Sequence, residues 1–234
     1  VSLIIISPNN TMSRLSTFQR TSQDAVGRKV TFDGIKVVVQ ANPSRMYFIT
    51  IEEANKVMDA CPNLQWRAIF ALCRYGGMRC PSELLTLKWT DVNWERGRIT
   101  VHSPKTERYQ GKDMRQIPIF PELRPYLLEA FNQARDKSGY VITLCRKKNT
   151  NLRTCFKRII CKAQLKPWPK LFQNLRSSRE TELTEKFPLH VVCVWLGNSQ
   201  LVAAKHYLQV TEDHFKSAII ESTTPSTPNP KHVA

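Results

Sequence analysis

The stretch from residue 170 to 210, KLFQNLRSSRETELTEKFPLHVVCVWLGNSQLVAAKHYLQV, constrains the fold more than any other part of the chain. The apolar run 191–196 stops at Gly197-Asn198. Gly and Asn both tolerate the left-handed backbone on which helices end. Pro188 breaks the pattern upstream, so helices are expected over 177–187 and 189–196. The chain therefore folds back twice within this one stretch. Three short polar segments lie against the helical patterns: Gln173-Asn174-Leu175-Arg176, Leu196-Gly197-Asn198-Ser199 and His206-Tyr207-Leu208. Folding back brings Arg176, Asn198 and Tyr207 toward one another.

A second polar element lies upstream. Gly76-Gly77 precedes Arg79, and a helix is expected to start there with Pro81 in its first turn, where a missing N–H does no harm. Leu84, Leu87 and Lys88 follow at helical spacing. Arg79 then stands at a helix entrance beside flexible backbone, where it can point into a cleft.

Elsewhere the period of the apolar residues sets the elements. Thr50 and Glu53 form a capping box ahead of a helix with Ile51, Ala54, Val57 and Met58 on its face. A second helix over 63–75 turns Trp66, Ile69, Phe70 and Cys73 inward. After Asp91 the period changes to two, giving strands over 98–102 and 116–120, with Pro118 arguing for an edge position. Pro121-Glu122 opens a helix with Leu123, Leu127, Ala130, Phe131 and Ala134 on one face. Residues 140–144 read as extended, and 150–163 as a basic amphipathic helix. The class is mainly α with a small antiparallel β-sheet, an α+β fold. Pro43 marks a boundary: 1–43 is expected to be a remnant of an N-terminal core-binding domain or a linker, 44–220 the main domain, and 221–234, rich in Ser, Thr and Pro, a disordered tail.

Charge narrows the partner. The net charge is +16, and residues 137–179 hold twelve Lys or Arg with no Asp or Glu. A polyanion is the natural partner, with nucleic acid first. The seven cysteines are scattered without a C-x-x-C pair, so neither a disulfide framework nor a metal site is indicated. Cys73, Cys155 and Cys193 sit in apolar patterns and are expected to be buried thiols, which fits a reducing cytoplasm. No apolar run approaches the length needed to span a membrane.

Taken in order, Gly77, Arg79, Glu83, Leu87, Trp89 and Asp91, a lysine in a polar hairpin, Leu175-Arg176, Leu196-Gly197-Asn198-Ser199 and then Tyr207 resemble the catalytic domain of the tyrosine recombinases, the phage integrase family. The resemblance covers roughly residues 44–216. Two positions depart from it: Gln173 and Asn198 stand where most members carry histidine. The resemblance implies strand exchange on double-stranded DNA by two transesterifications through a 3′-phosphotyrosyl bond, with no cofactor and no metal. It also implies a multimer, a tetrameric synapse on DNA, in the cytoplasm at the nucleoid.

The implied roles suit the residue types. Arg79 and Arg176 would bind the charged non-bridging oxygens of the transition state, since a guanidinium is permanently charged and binds two oxygens at once. Either arginine taken alone reads equally as a surface or structural residue. Tyr207 would be the nucleophile, although a tyrosine at this spacing also reads as a half-buried packing residue. A lysine would protonate the leaving 5′ oxygen. The hairpin holds Lys105, Arg108, Lys112 and Arg115, and the resemblance favours Lys105. Gln173 and Asn198 can donate hydrogen bonds to phosphate but cannot exchange a proton near neutral pH. Glu83 would support Arg79. Trp89 and Asp91 read as a packing and capping pair. Arg108, Lys112, Arg115, Arg146, Lys147, Lys148, Arg153, Lys157, Arg158 and Lys170 would meet DNA phosphates, which position a protein without reading sequence. Two other readings stay open: a degenerate integrase that binds DNA without cutting it, and a DNA-relaxing enzyme with the same tyrosine chemistry, like a type IB topoisomerase.

Overall fold

The computed structural model describes residues 21–23, 29–31, 43–103, 113–135, 139–146, 151–211, 213–215 and 217. The chain divides into two compact units, 1–40 and 41–234. Of the first, two short antiparallel strands are described, β1 (Thr21–Gln23) and β2 (Lys29–Thr31). The extended run expected near Ile35 lies outside the described residues, as does the expected tail 221–234.

The second unit is built on α2 (Leu64–Arg74), which starts where the Asn63 side chain accepts from the Trp66 N–H at 3.0 Å. Ile69, Phe70, Leu72, Cys73 and Arg74 are all at most 1% exposed, so the helix is buried nearly all round. Before it comes α1 (Ile51–Ala60), whose capping box is as expected: Glu53 N–H donates to Thr50 Oγ1 at 3.2 Å, and Thr50 N–H to Glu53 Oε2 at 3.1 Å. α2 packs on α3 (Arg124–Gln133) and α5 (Leu171–Lys186), and α1 packs on α4 (Leu152–Lys162). Phe156 of α4 joins them, stacked on Phe172 at 4.8 Å and edge-on to Trp168 at 6.0 Å.

A three-stranded antiparallel sheet lies beside the helices: β3 (Val92–Asn93), β4 (Arg98–His102) and β5 (Met114–Pro118), in that order. Ile99 pairs with Ile117, and Val101 with Arg115. Pro118 is on an edge strand, where its missing N–H breaks no ladder. α6 (Leu189–Leu196) packs on β5, and α7 (Gln200–His206) follows it. Gly197 ends α6 at φ 66°, the left-handed stop expected there.

Four expectations are corrected. Residues 80–86 are successive turns rather than a helix: the Arg79 carbonyl accepts from both Glu83 and Leu84, and the Glu83 carboxylate takes the Arg79 backbone N–H at 2.8 Å. α5 begins at Leu171 rather than 177. Its polar first turn reads as a loop in sequence, but the Asn174 side chain is buried and donates to the carbonyls of Arg45 and Pro169 at 3.0 and 2.7 Å. α3 begins at Arg124 after a turn over 121–123. Cys155 is only partly buried, whereas Cys73 and Cys193 are buried.

One buried ion pair joins α2 to α5. Arg74 is fully buried; its guanidinium donates to both carboxylate oxygens of Glu182 and, at 3.0 Å, to the Ile49 carbonyl. Glu182 has a second cation, Arg179, at 3.5 Å. The two ends are therefore unequal. Glu182→Ala strands a buried guanidinium and is expected to cost about 3–5 kcal/mol in urea unfolding. Arg74→Met leaves Glu182 its other partner and should cost clearly less. Negligible losses in both variants would show that the pair does not hold α2 on α5.

Candidate active site

The site forms at the C-terminal end of α6. The last carbonyls of a helix have no partner within it and carry the negative end of the helix dipole. Here each of three takes a different arginine. Trp195 O accepts from Arg115 Nε at 2.8 Å, Leu196 O accepts from Arg176 Nη2, and Gly197 O accepts from Arg79 Nη2 at 2.8 Å. Arg176 Nη1 also donates to Gly77 O at 2.6 Å. Two glycines make this approach possible. Gly77 sits at φ 63°, and a Cβ there would lie 2.5 Å from Leu196 Cδ2; a Cβ on Gly197 would lie 2.8 Å from Arg115 Cδ.

Glu83 ties the cluster to the sheet. Its carboxylate accepts from Arg79 Nη1 at 2.5 Å, from Arg115 Nη1 and Nη2 at 2.7 Å each, and from Ser103 Oγ at 2.8 Å. Glu83 is 1% exposed. Burial alone would raise its carboxyl, but the Arg115 hydrogen bonds and the charges of Arg115, Arg79 and Arg176 outweigh it and hold it at about 2. Arg176 is 2% exposed and has no carboxylate partner among its hydrogen bonds. Burial first, and then the charge of Arg79, push its guanidinium down to about 10. Arg79 keeps an open side, with 18% of its side chain exposed.

Tyr207 comes to this cluster from above. It stands just past α7, as its C-cap, with its N–H on Ala203 O at 3.0 Å. The Arg176 Cζ lies 5.3 Å from the centre of its ring. Ser177 Oγ donates to the Tyr207 carbonyl. Gln209 continues the dock, its N–H on Thr181 Oγ1 at 3.1 Å and its Nε2 on Ser177 Oγ at 2.9 Å. Ser177 and Thr181 were missed in the sequence. Their four-residue spacing puts both on the face of α5 adjoining Arg176. Gln173, half-buried, is one turn before Arg176 on that helix. Asn198 Nδ2 donates to Glu180 Oε1 at 2.7 Å.

Arg115 departs from expectation. It was placed among the DNA contacts, but its side chain is 6% exposed and held by Glu83, Ser103 and Trp195. The alternation of β5 explains this, since Arg115 shares a face with buried Ile117. Arg146 is exposed; its guanidinium lies 3.4 Å from the Tyr140 ring centre and donates to Leu85 O at 2.6 Å. Arg153, Lys157 and Arg158 lie exposed on α4, and Lys170 is exposed just before α5. Trp89 is buried, and Asp91 Oδ2 accepts from Lys88 N–H at 2.9 Å. Lys105, Arg108, Lys112, Lys147 and Lys148 lie outside the described residues. Among the described residues, no group of three or more His, Cys, Asp or Glu is placed to hold a metal ion, and no helix is long and apolar enough to cross a membrane.

The sequence model of the phage integrase family matches residues 47–214, and the chain belongs to that family. It is 31% identical over 180 residues to the tyrosine recombinase XerA of Pyrococcus furiosus, covering 73% of this chain and 60% of the relative. The chain thus spans about three-fifths of the length of that curated relative. The crystal structure of XerA recombinase superposes with a TM-score of 0.62 at 18% identity, over 79% of this chain and 66% of the other. Lambda integrase (residues 75–356) bound to DNA gives 0.54 at 20% identity, over 70% and 60%. The fold is that of a tyrosine recombinase catalytic domain.

The ionisation of Glu83 carries a testable consequence. Its carboxyl is held below the ordinary value of 4.5, so its stabilisation is full above that value and is lost as pH falls toward about 2. Glu83→Gln should lower stability at neutral pH by about 3 kcal/mol and flatten this acid-side slope. Urea unfolding from pH 7 to pH 2 measures both. An unchanged slope in the variant would remove Glu83 from this role.

Proposed function

We propose that the chain carries out site-specific DNA recombination or integration as a tyrosine recombinase, with residues 44–220 as its catalytic domain. The observation that carries this reading is the convergence of Arg79 and Arg176 on the last carbonyls of α6, with Arg176 against the Tyr207 ring and the Glu83 carboxylate taken up by Arg79 and Arg115. Burial first, and then the charge of Arg79, disfavour the Arg176 cation. A phosphate relieves that repulsion, and a pentacoordinate phosphate with more charge on its oxygens relieves it further.

The chemistry follows from the parts. Tyr207 Oη attacks the phosphorus as its phenolic proton passes to solvent, and the 5′ oxygen leaves with its electron pair. A 3′-phosphotyrosyl bond conserves the linkage, and a 5′ hydroxyl of another strand later reverses the step. Arg79 and Arg176 stabilise the charge on the non-bridging oxygens. Gln173 and Asn198 donate further hydrogen bonds. Lys105 protonates the leaving 5′ oxygen. Arg146, Arg153, Lys157, Arg158 and Lys170, with Lys147 and Lys148, bind phosphates along the duplex, so affinity falls steeply with salt. Exchange between two duplexes needs several such sites at once, which calls for a multimer on DNA, acting where the nucleoid is. The relatives are named recombinases, which favours recombination over relaxation.

Trapping on nicked duplexes drawn from random or flanking genomic sequence tests this. The wild type should give a covalent protein–DNA adduct, and Tyr207→Phe none while still binding DNA. An adduct that survives in Tyr207→Phe would move the nucleophile elsewhere. Salt-sensitive binding with no adduct in the wild type would replace the recombinase with a DNA-binding remnant.

A further inference from the structure

One turn beyond Arg176 on α5 stands Glu180, 0% exposed. Its Oε1 accepts from Asn198 Nδ2 at 2.7 Å. Its Oε2 is buried without a hydrogen-bond partner, and so is Asn198 Oδ1. These two orphans are the remaining oxygens of two planar groups already joined at one edge. Both are acceptors if Glu180 is ionised, and an unpartnered buried acceptor costs about 1–3 kcal/mol. One proton resolves both. On Oε2 it turns that atom into a donor and supplies Asn198 Oδ1 with the partner it lacks.

We propose that Glu180 is held as the neutral carboxylic acid in a cyclic two-hydrogen-bond pair with Asn198, and that this pair aims the Asn198 amide at the scissile phosphate. The aim of Asn198 rests on the strand-transfer reading above; the acid–amide pair does not. The surroundings fit a neutral acid. Arg176, on the same helix, gives its terminal nitrogens to the carbonyls of Gly77 and Leu196. Arg79, from the segment after α2, gives its own to Glu83 and Gly197. From α6 the facing titratable group is the buried Cys193 thiol, which burial pushes up. Burial raises the Glu180 carboxyl against the opposing pull of the Asn198 bond and of both arginines.

The pair does two things for the site. It fixes which end of the Asn198 amide is which, leaving the second Nδ2–H to donate to a phosphate oxygen. It also keeps a second negative charge, beyond that of Glu83, away from Arg79 and Arg176. Glu180 is thus a positioning residue. Raising the pH through its ionisation would release Asn198 Oδ1 and set a carboxylate beside the two guanidiniums.

Two measurements test this on the full chain. Infrared difference spectra of wild type against Glu180→Gln at neutral pH should show the carbonyl stretch of a protonated carboxylic acid in the wild type only. Carboxylate bands in its place would overturn the pair. The second is the rate of adduct formation against pH. Glu180→Ala should slow it by about ten- to a hundredfold, the cost of an unpartnered buried amide oxygen. Glu180→Gln, which closes the same ring as an amide–amide pair, should recover most of that loss and remove the alkaline decline. An Ala variant as fast as wild type, or a Gln variant with the wild-type pH profile, would overturn the positioning role. A wild type that forms no adduct sinks the strand-transfer reading and with it the aim of Asn198, while the infrared result decides the pair by itself.

Discussion

Three arginines from distant stretches of sequence meet on the last carbonyls of α6. Arg115 arrives from β5, Arg176 from α5 and Arg79 from the turns after α2. The last carbonyls of a helix have no partner within it, and the Arg176 guanidinium has no carboxylate among its hydrogen bonds. The helix end satisfies the arginines, and the arginines satisfy the helix end. Because the partners come from three separate elements, the cluster forms only when the sheet, the central helix and the C-terminal helices are all in place. Gly77 and Gly197 matter for the same reason, since a side chain at either would hold the elements apart.

Charge balance then decides what the cluster is for. The hydrogen bonds of Glu83 go to Arg79 and Arg115. Arg176 is left with backbone carbonyls. A buried cation held only by dipoles is an expensive arrangement unless something negative visits it. That the guanidinium is nonetheless held deep, beside another, is what makes an anion site more economical as an explanation than a structural ion pair. Arg74 with Glu182 shows the contrast. There the buried guanidinium has its own carboxylate, and the pair serves packing alone.

Much of this was legible in the sequence, and the misses share a cause. The Thr50 capping box, the Asn63 helix start and the Gly197 stop are local signals that the structure bears out, while the strand expected over 116–120 runs over Met114–Pro118. The errors came where a tertiary partner overrode local pattern. Asn174 reads as a loop residue until Arg45 and Pro169 supply carbonyls for its amide. Residues 80–86 read as a helix, but the Arg79 carbonyl accepts from Leu84 as well as Glu83 and the segment runs as turns. Arg115 reads as a solvated hairpin cation until its place in the strand is counted against Ile117, a signal that was present and overlooked. Ser177 and Thr181 carry no local signal for docking the Tyr207 segment, because a buried hydroxyl announces its partner only when the partner is folded against it.

The two amides at 173 and 198 bear on how such a site works without the usual histidines. An imidazole offers a proton and can exchange it; a carboxamide offers a hydrogen bond only. In the proposed strand transfer, transition-state binding by the arginines would not need exchange, so the loss would fall on proton transfer, a contribution of about 10²–10⁴ in rate for a well-placed group. A carboxamide brings a second difficulty. Its two ends are nearly the same shape and opposite in polarity, so the wrong rotamer turns a donor toward phosphate into a repelling acceptor. A site that uses Asn198 must therefore settle its rotamer by some contact outside the substrate. Among the described hydrogen bonds, the Asn198 side chain has one partner, Glu180. Whatever fixes this amide must act through that carboxyl, and a carboxyl fixes both ends of an amide only when it carries its proton.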